Sequence, residues 1–551
     1  MKIFKRALIS IISLALISGC GNSVTREEAV LNEEGNIVVR IGQQVQPNSK
    51  FPEGDSYEEN AYRRLIEEKL GAKIETAFEA NGDDYERQVS LAIASGELPD
   101  IMTVSINELV ELAENDLIED LSQVYEENAS NRIKEIYQSF DNVQLEAAKI
   151  DGKLMGLPGV VNDFGPNLIW IRQDWVDNLN IDIDSDGDKV INLKELEQIA
   201  QEFIDKDPGN SGKMQGLAFA NWLSSDSHGG SAFTANAILN SFGAYPKIYL
   251  NKDNEIVYGS NTDEMKEGLS YLNDLYERGL LDQQFGTRTF DDITAMMINN
   301  EIGILTGPWH LSDWNLVQGR TTNKEANWVP YAIENEQGKV SGVQKPGVGS
   351  FVVVRKGFSN PELAVKIINL IYDEVPNSEN LKDEFPEMYE YAKQSVDGSA
   401  RPMNIELFNN LSEITDAVES VKAAKGEISI DEVSSFVIKN NAEKIQNYLE
   451  KGIESDPTDW AVYASRLLAL NNVMNGVREA GIYEEISPVV YFKTLEAAER
   501  NGAQISKLEE ETFIKFITGE ESIENFDSYK NTWKSQGGEE IIKEMKEAVS
   551  E

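Results

Sequence analysis

Between Ile37 and Val104 the apolar residues switch back and forth between a period of two and a period of 3.6, and this alternation restricts the fold more than any other feature. Ile37-Val38-Val39-Arg40-Ile41 reads as a strand, Asn60 to Leu70 as an amphipathic helix stopped by Gly71, and Lys73 to Phe78 as the next strand. That is a βαβ unit. Tyr85 to Ser95 supplies another helix, ended by Gly96, and Asp100 to Val104 another apolar strand. The expected class is α/β, an open sheet with helices on both faces. No G-x-G-x-x-G opens the first βα turn and no P-loop occurs, so a Rossmann cofactor domain is not supported.

Charge and cysteine content narrow the function. With 95 Asp plus Glu against 50 Lys plus Arg, the net charge of −45 repels phosphate, and nucleic acid is not an expected partner. At 551 residues and 41% hydrophobic content, the chain has enough apolar surface for two or three packed units. A single Cys allows no internal disulfide, and two His, at 228 and 310, leave no His-rich metal site.

That one cysteine closes the N-terminal segment. Lys2, Lys5 and Arg6 precede the apolar run Ala7 to Gly19, which is too short for a permanent span and reads as an export signal. Ile17-Ser18-Gly19-Cys20 resembles a bacterial lipoprotein lipobox. Cys20 is then the expected lipidated first residue, and Gly21 to Asn36 a polar, acidic tether. The expected location is the extracytoplasmic face of the bacterial cell membrane. No later stretch approaches 18 consecutive apolar residues.

The α/β rhythm breaks at Gly152 to Pro158 and again near Lys345-Pro346-Gly347-Val348-Gly349, as a hinge between lobes requires. From about Pro361 onward the pattern is mostly helical, with amphipathic stretches at Asp431 to Leu449 and Ser506 to Phe516. The expected division is 1–19 signal peptide, 20–36 tether, 37–158 and 346–450 lobe 1, 159–345 lobe 2, and 451–551 C-terminal helices, mainly on lobe 2.

An ordered series of short motifs spans the mature chain. Ser95-Gly96-Glu97-Leu98-Pro99-Asp100, Gly152 to Pro158, Trp170-Ile171-Arg172-Gln173-Asp174-Trp175, Gly303 to Trp309, Asn360-Pro361-Glu362 and Lys507 to Gly519 follow the lipobox. The series resembles extracellular solute-binding proteins of family 1, and within them the LplA/LipO-type lipoproteins. The resemblance implies a periplasmic-binding-protein fold of the type II, maltose-binding-like kind. Two α/β lobes joined by hinge strands, with a helix-rich C-terminal third, close on a sugar or oligosaccharide and hand it to an ABC permease. It also implies a sugar-stacking role for Trp309, which follows the same Gly-Pro as in maltose-binding relatives.

A sugar needs flat aromatic platforms and side chains that both donate and accept hydrogen bonds. Besides Trp309, the candidates are His310 and Trp314 in the same loop, Trp170 and Arg172 after the first hinge, and Asn221 and Trp222 in the loop that also holds Asp226. Arg172 and Asp163 are candidates for fixing a charged or hydroxyl-rich ligand, with a structural ion pair as the other reading. Trp175, in Asp-Trp-Val-Asp, reads as core.

Asp184-Ser185-Asp186-Gly187-Asp188-Lys189-Val190-Ile191-Asn192-Leu193-Lys194-Glu195 places oxygen ligands at loop positions 1, 3, 5, 7 and 12. Asp184, Asp186, Asp188, the Val190 carbonyl and Glu195 are the expected ligands of a structural Ca²⁺. Lys189 departs from the pattern at position 6, where glycine suits the turn. A second loop, Asp205 to Lys213, lies where alginate-oligosaccharide-binding relatives hold Ca²⁺, but Gln215 and Gly216 replace acidic ligands and an Asn/Gly turn is expected instead. The reading is a monomeric, non-enzymatic carrier with three partners: a small carbohydrate, the permease's transmembrane subunits, and the membrane through Cys20. Its alternatives are a secreted carbohydrate-active hydrolase and a sugar-sensing lipoprotein without a permease.

Overall fold

The computed structural model describes residues 26–46 and 51–550, apart from 253–254, 379, 395, 397, 431–432, 434 and 492–494. The expected signal segment and Cys20 lie outside the described residues. β1 (Ile37–Gln44), α1 (Ala61–Leu70), β2 (Ala72–Ala80), α2 (Gly82–Ser95) and β3 (Ile101–Val104) follow one another as the pattern predicts. Asn60 starts α1 because its side chain accepts the Arg63 amide, and Gly71 ends it in the left-handed region. β1 lies between β2 and β3 and is parallel to both, with Ile37 opposite Ala72 and Ile41 opposite Ile101. Their inward residues, with helices on both sides, form the core of lobe 1.

Lobe 2 has its own sheet, in the order Ile304–Gly307, Leu168–Arg172, Trp328–Ile333 and Val190–Ile191. Two long strands join the lobes. The first hinge strand, Leu157–Phe164, runs antiparallel to the second, Val340–Val354, from Leu157 opposite Val352 to Phe164 opposite Gln344. The second continues into the first sheet, with Phe351 opposite Val104, and carries Tyr483–Ile486 along its start.

The third crossing corrects the expected lobe boundary. The lobe 1 core ends at Leu407, a small cluster at the hinge holds Ile414 and Ala417, and Val421 to Met545 belong to the core that begins at Leu168. The chain therefore crosses between Leu407 and Val421, not near residue 450. The physical reason is the apolar face of the helix Phe436–Lys451, which turns Ile438, Ala442 and Ile445 into the lobe 2 core. Among the described residues no helix is long and apolar enough to cross a membrane.

The C-terminal helices are tied to lobe 2 by a buried acid. Glu509, in the helix Glu496–Thr518, is fully buried and accepts the Tyr258 hydroxyl at 2.8 Å. Burial pushes its carboxyl up to about 7, eased by Lys247 and the Tyr258 and Ser260 hydroxyls, while Glu510 adds to the rise. The folded chain thus keeps a proton that the unfolded chain loses near pH 4.5. This contribution is complete below that pH and is lost as pH rises to about 7, a change on the order of 3 kcal/mol. Glu509→Gln is expected to shrink the drop in melting temperature between pH 5 and pH 8. An unchanged drop in thermal unfolding would refute the assignment.

Candidate functional site

Strand alternation sorts the hinge residues onto two faces. Asn162 and Phe164 share one face of the first hinge strand and Asp163 takes the other. On the first face Phe164 packs in the small cluster of Ile414, Ala417, Leu470 and Met474, against which Trp309 lies. On the second, Asp163 Oδ1 accepts the Gly229 amide at 3.1 Å, and Lys345, opposite Asp163, forms an ion pair with Asp226 at 2.9 Å. Burial raises the Asp163 carboxyl above the ordinary range, and its Oδ2 is buried without a hydrogen-bond partner.

On that second side, between the lobes, lies a cavity of about 690 Å³. Ser105 and Ile106, at the end of β3, line it from lobe 1, Lys345 and Val348 from the hinge, and Asp226 and Tyr249 from lobe 2. Tyr491 and Glu499 add a wall from the C-terminal segment. The volume and the mix of aliphatic wall, two tyrosines and a few polar groups suit a small organic ligand. Composition and spacing did not single out Tyr249, Tyr491 or Lys345. Lys345 was visible only as part of a break in the pattern, and no local signal marks the tyrosines.

The loop after Ala220 connects this cavity to an aromatic shelf. Asp226 reaches the cavity, His228 anchors the middle and Asn221 the start. His228 is fully buried, with Nε2 3.0 Å from the Pro246 carbonyl and Nδ1 against Asn240. Burial lowers it to about 4, so the anchor is a neutral imidazole. The Asn221 amide donates to the Arg288 carbonyl, two residues before Phe290. Phe290 stacks on Trp314 with centroids 5.6 Å apart and planes 17° apart. The indole of Trp314 donates to His310 Nδ1 at 3.0 Å, which leaves the proton of the neutral ring on Nε2. Burial depresses His310, so it remains neutral at pH 7. Trp309 meets His310 edge to face at 4.9 Å, and Arg466, ion-paired with Asp313, lies 5.1 Å from its ring centroid.

Trp309, His310 and Trp314 are thus neighbours on lobe 2, and these three, Asn221 and Trp222 each keep part of their surface open. Asp163 stands apart, on the cavity side. Trp170 and Arg172 are corrections. Trp170 is 0% exposed, in the central strand pair of lobe 2, and its indole donates inward to the Pro308 carbonyl at 3.2 Å. Arg172 is 2% exposed, forks onto Asp174 at 2.7 and 2.8 Å, and covers the Trp175 ring at 4.2 Å. A ligand reaches neither. Trp175 is core, as its helical setting implies.

The acidic loop closes as a cation loop would. The Lys189 amide donates to Asp184 Oδ1, the Val190 amide to Asp188 Oδ1, and Lys189 adopts φ +65°, the left-handed turn expected at position 6. Asp184, Asp186 and Asp188 each turn an oxygen to within 4.8 Å of the others, a donor set that fits a hard cation. Glu195 caps the following helix through the Asn192 amide, and the Lys189 ammonium pairs with Asp184. In the second loop, Asp207 is occupied by the amides of Ser211 and Gly212, an ordinary turn.

A family model for bacterial extracellular solute-binding proteins matches residues 48–375. The fructooligosaccharide ABC transporter substrate-binding protein FusA of Streptococcus pneumoniae is 22% identical over 68% of this chain and 70% of its own. The polygalacturonan/rhamnogalacturonan-binding protein YtcQ of Bacillus subtilis is 20% identical over 85% and 83%. Among solved structures, an HMO-binding, ABC-transporter-associated solute-binding protein of Bifidobacterium longum infantis superposes with a TM-score of 0.58. It is 16% identical and covers 94% of this chain and 99% of that one.

The two tryptophan settings differ in what truncation costs. Trp170→Ala is expected to lose roughly 3–5 kcal/mol of stability in urea unfolding, and Trp314→Ala, 40% exposed, about 1 kcal/mol or less. Equal losses would contradict the placement of Trp170 in the core.

Proposed function

This chain belongs to the family of bacterial extracellular solute-binding proteins, and on that premise we propose that it captures an oligosaccharide between its lobes and delivers it to an ABC permease. The observation that carries the reading is the interlobe cavity together with the aromatic shelf, both served by one loop from Asn221 to Phe233. Flat rings at Trp309, Trp314 and Trp222 suit the C–H faces of sugar rings. Asn221 and the Nε2–H of His310 beside the rings, and Tyr249 in the cavity, suit their hydroxyls. The names of FusA and YtcQ support a carbohydrate class.

The mechanism is domain closure. Open and closed arrangements interconvert about the paired hinge strands, and a ligand that touches both lobes favours the closed one by its differential contacts. Ser105 of lobe 1 and Tyr249 of lobe 2 both line the cavity, so a ligand held there touches both lobes. No covalent step is involved. Cys20 carries the lipid anchor, and the tether holds the monomeric body outside the membrane.

The loop from Asp184 to Glu195 binds a structural Ca²⁺ through Asp184, Asp186, Asp188, the Val190 carbonyl and Glu195. Lys189 opposes it twice, by its ammonium on Asp184 and by the cost of about 1 kcal/mol for a side chain in the left-handed region.

In thermal-shift titrations an oligosaccharide is expected to raise the melting temperature, and Trp309→Ala to weaken binding at least tenfold. Silence across an oligosaccharide panel would remove the carbohydrate reading. Ca²⁺ added after chelation is expected to stabilise the protein, more strongly in Lys189→Gly. A Ca²⁺ response that survives Asp186→Ala would remove the metal from this loop.

A further inference from the structure

Resting on the carbohydrate reading, we infer that the ligand is an uncharged oligosaccharide, because the cations that line the interlobe cavity are already paired with carboxylates of the protein itself. Lys345 and Lys247 are the cations among the described residues lining the cavity, and they pair with Asp226 at 2.9 Å and Glu510 at 2.8 Å. On the aromatic shelf, Arg466 is bound to Asp313. At the hinge, Arg478 donates to the Met474 carbonyl at 2.9 Å and lies over the Tyr483 ring at 4.0 Å. A uronate, sulfate or phosphate carries a charge whose burial must be offset by a forked guanidinium or an uncommitted ammonium. Lys345, Lys247 and Arg466 would each have to share their charge with a carboxylate already in place.

The acids around the cleft point the same way. Asp163, held at the hinge by the Gly229 amide, is a repulsive neighbour for a second anion. Glu413 and Asp416, on the helix that packs beside Trp309, are both raised. Burial is the main cause for each, and for Asp416, raised to about 6, Glu419 adds to the rise while Arg132 of lobe 1 opposes it. Charge is already costly there, and an anionic ligand would make it costlier. The net charge of −45 adds a long-range repulsion, screened beyond about 8 Å at physiological salt.

The test is calorimetric titration of the purified protein at 0.15 M salt and pH 7 with probes of matched length. Fructo-, xylo- and malto-oligosaccharides are set against oligogalacturonate and oligomannuronate. The best neutral probe is expected to bind at least 100-fold tighter than either uronide. Asp226→Asn, which frees the Lys345 ammonium, is expected to narrow that ratio at least tenfold, with circular dichroism confirming the fold. The wild-type ratio decides the matter even if the variant does not fold. Uronide binding within 100-fold of the best neutral probe overturns the inference and leaves the carbohydrate reading standing. Binding by neither class overturns that reading, and the inference with it.

Discussion

The antiparallel pairing of Leu157–Phe164 with Val340–Val354 is the interaction on which the rest of the molecule depends. One ladder belongs to both halves: it enters the lobe 1 sheet at Phe351 and leaves toward lobe 2 at Phe164. Its backbone hydrogen bonds join the two cores through one continuous ladder. Side-chain alternation along it decides what each side of the cleft receives. The crossing is tight enough to require glycine, since a Cβ at Gly165 would come within 2.9 Å of Gly342 Cα. The same holds at Gly229, where a Cβ would sit 1.8 Å from the Phe164 carbonyl. Without that glycine the loop that connects cavity and aromatic shelf could not dock on the hinge.

Electrostatics in this strongly acidic chain work by local commitment. Lys345, Lys247, Arg466 and Arg172 each hold a carboxylate, so the sparse cations organise structure instead of waiting for a ligand. The neutral groups do the opposite. Burial keeps His228 and His310 uncharged, one as an anchor for the loop and the other as a hydrogen-bonding face beside two tryptophans. Buried carboxyls such as Glu509 and Asp163 keep polar positions inside apolar surroundings at the expense of their ionised form.

Particular residues show how far a linear reading reaches. The alternation of Ile37 to Val104 carried the first βαβ units to within a few residues of their observed ends, because helix caps and hydrophobic period are local properties. Trp309 follows a Gly-Pro at the end of the strand Ile304–Gly307 and is half-buried. Trp170 follows an equally suggestive break, yet it belongs to a strand paired on both sides and is sealed in. Nothing within a few residues of either indole distinguishes them. The third crossing failed in the same way, since helix amphipathicity says that a face is buried but not against which lobe.

By itself the sequence determined the α/β class, the ordered motifs of the family and an acidic loop with the spacing of a cation site. It determined the exclusions set by charge and cysteine content as well. These are properties of composition and of neighbours along the chain. Only the tertiary structure decided that Tyr249, Tyr491, Lys345 and Ser105 meet around one cavity, that Asp163 and Phe164 look to opposite sides, and that Arg172 is a core ion pair. Those outcomes depend on strand register and on which core claims each helix, and both are settled by packing between segments hundreds of residues apart.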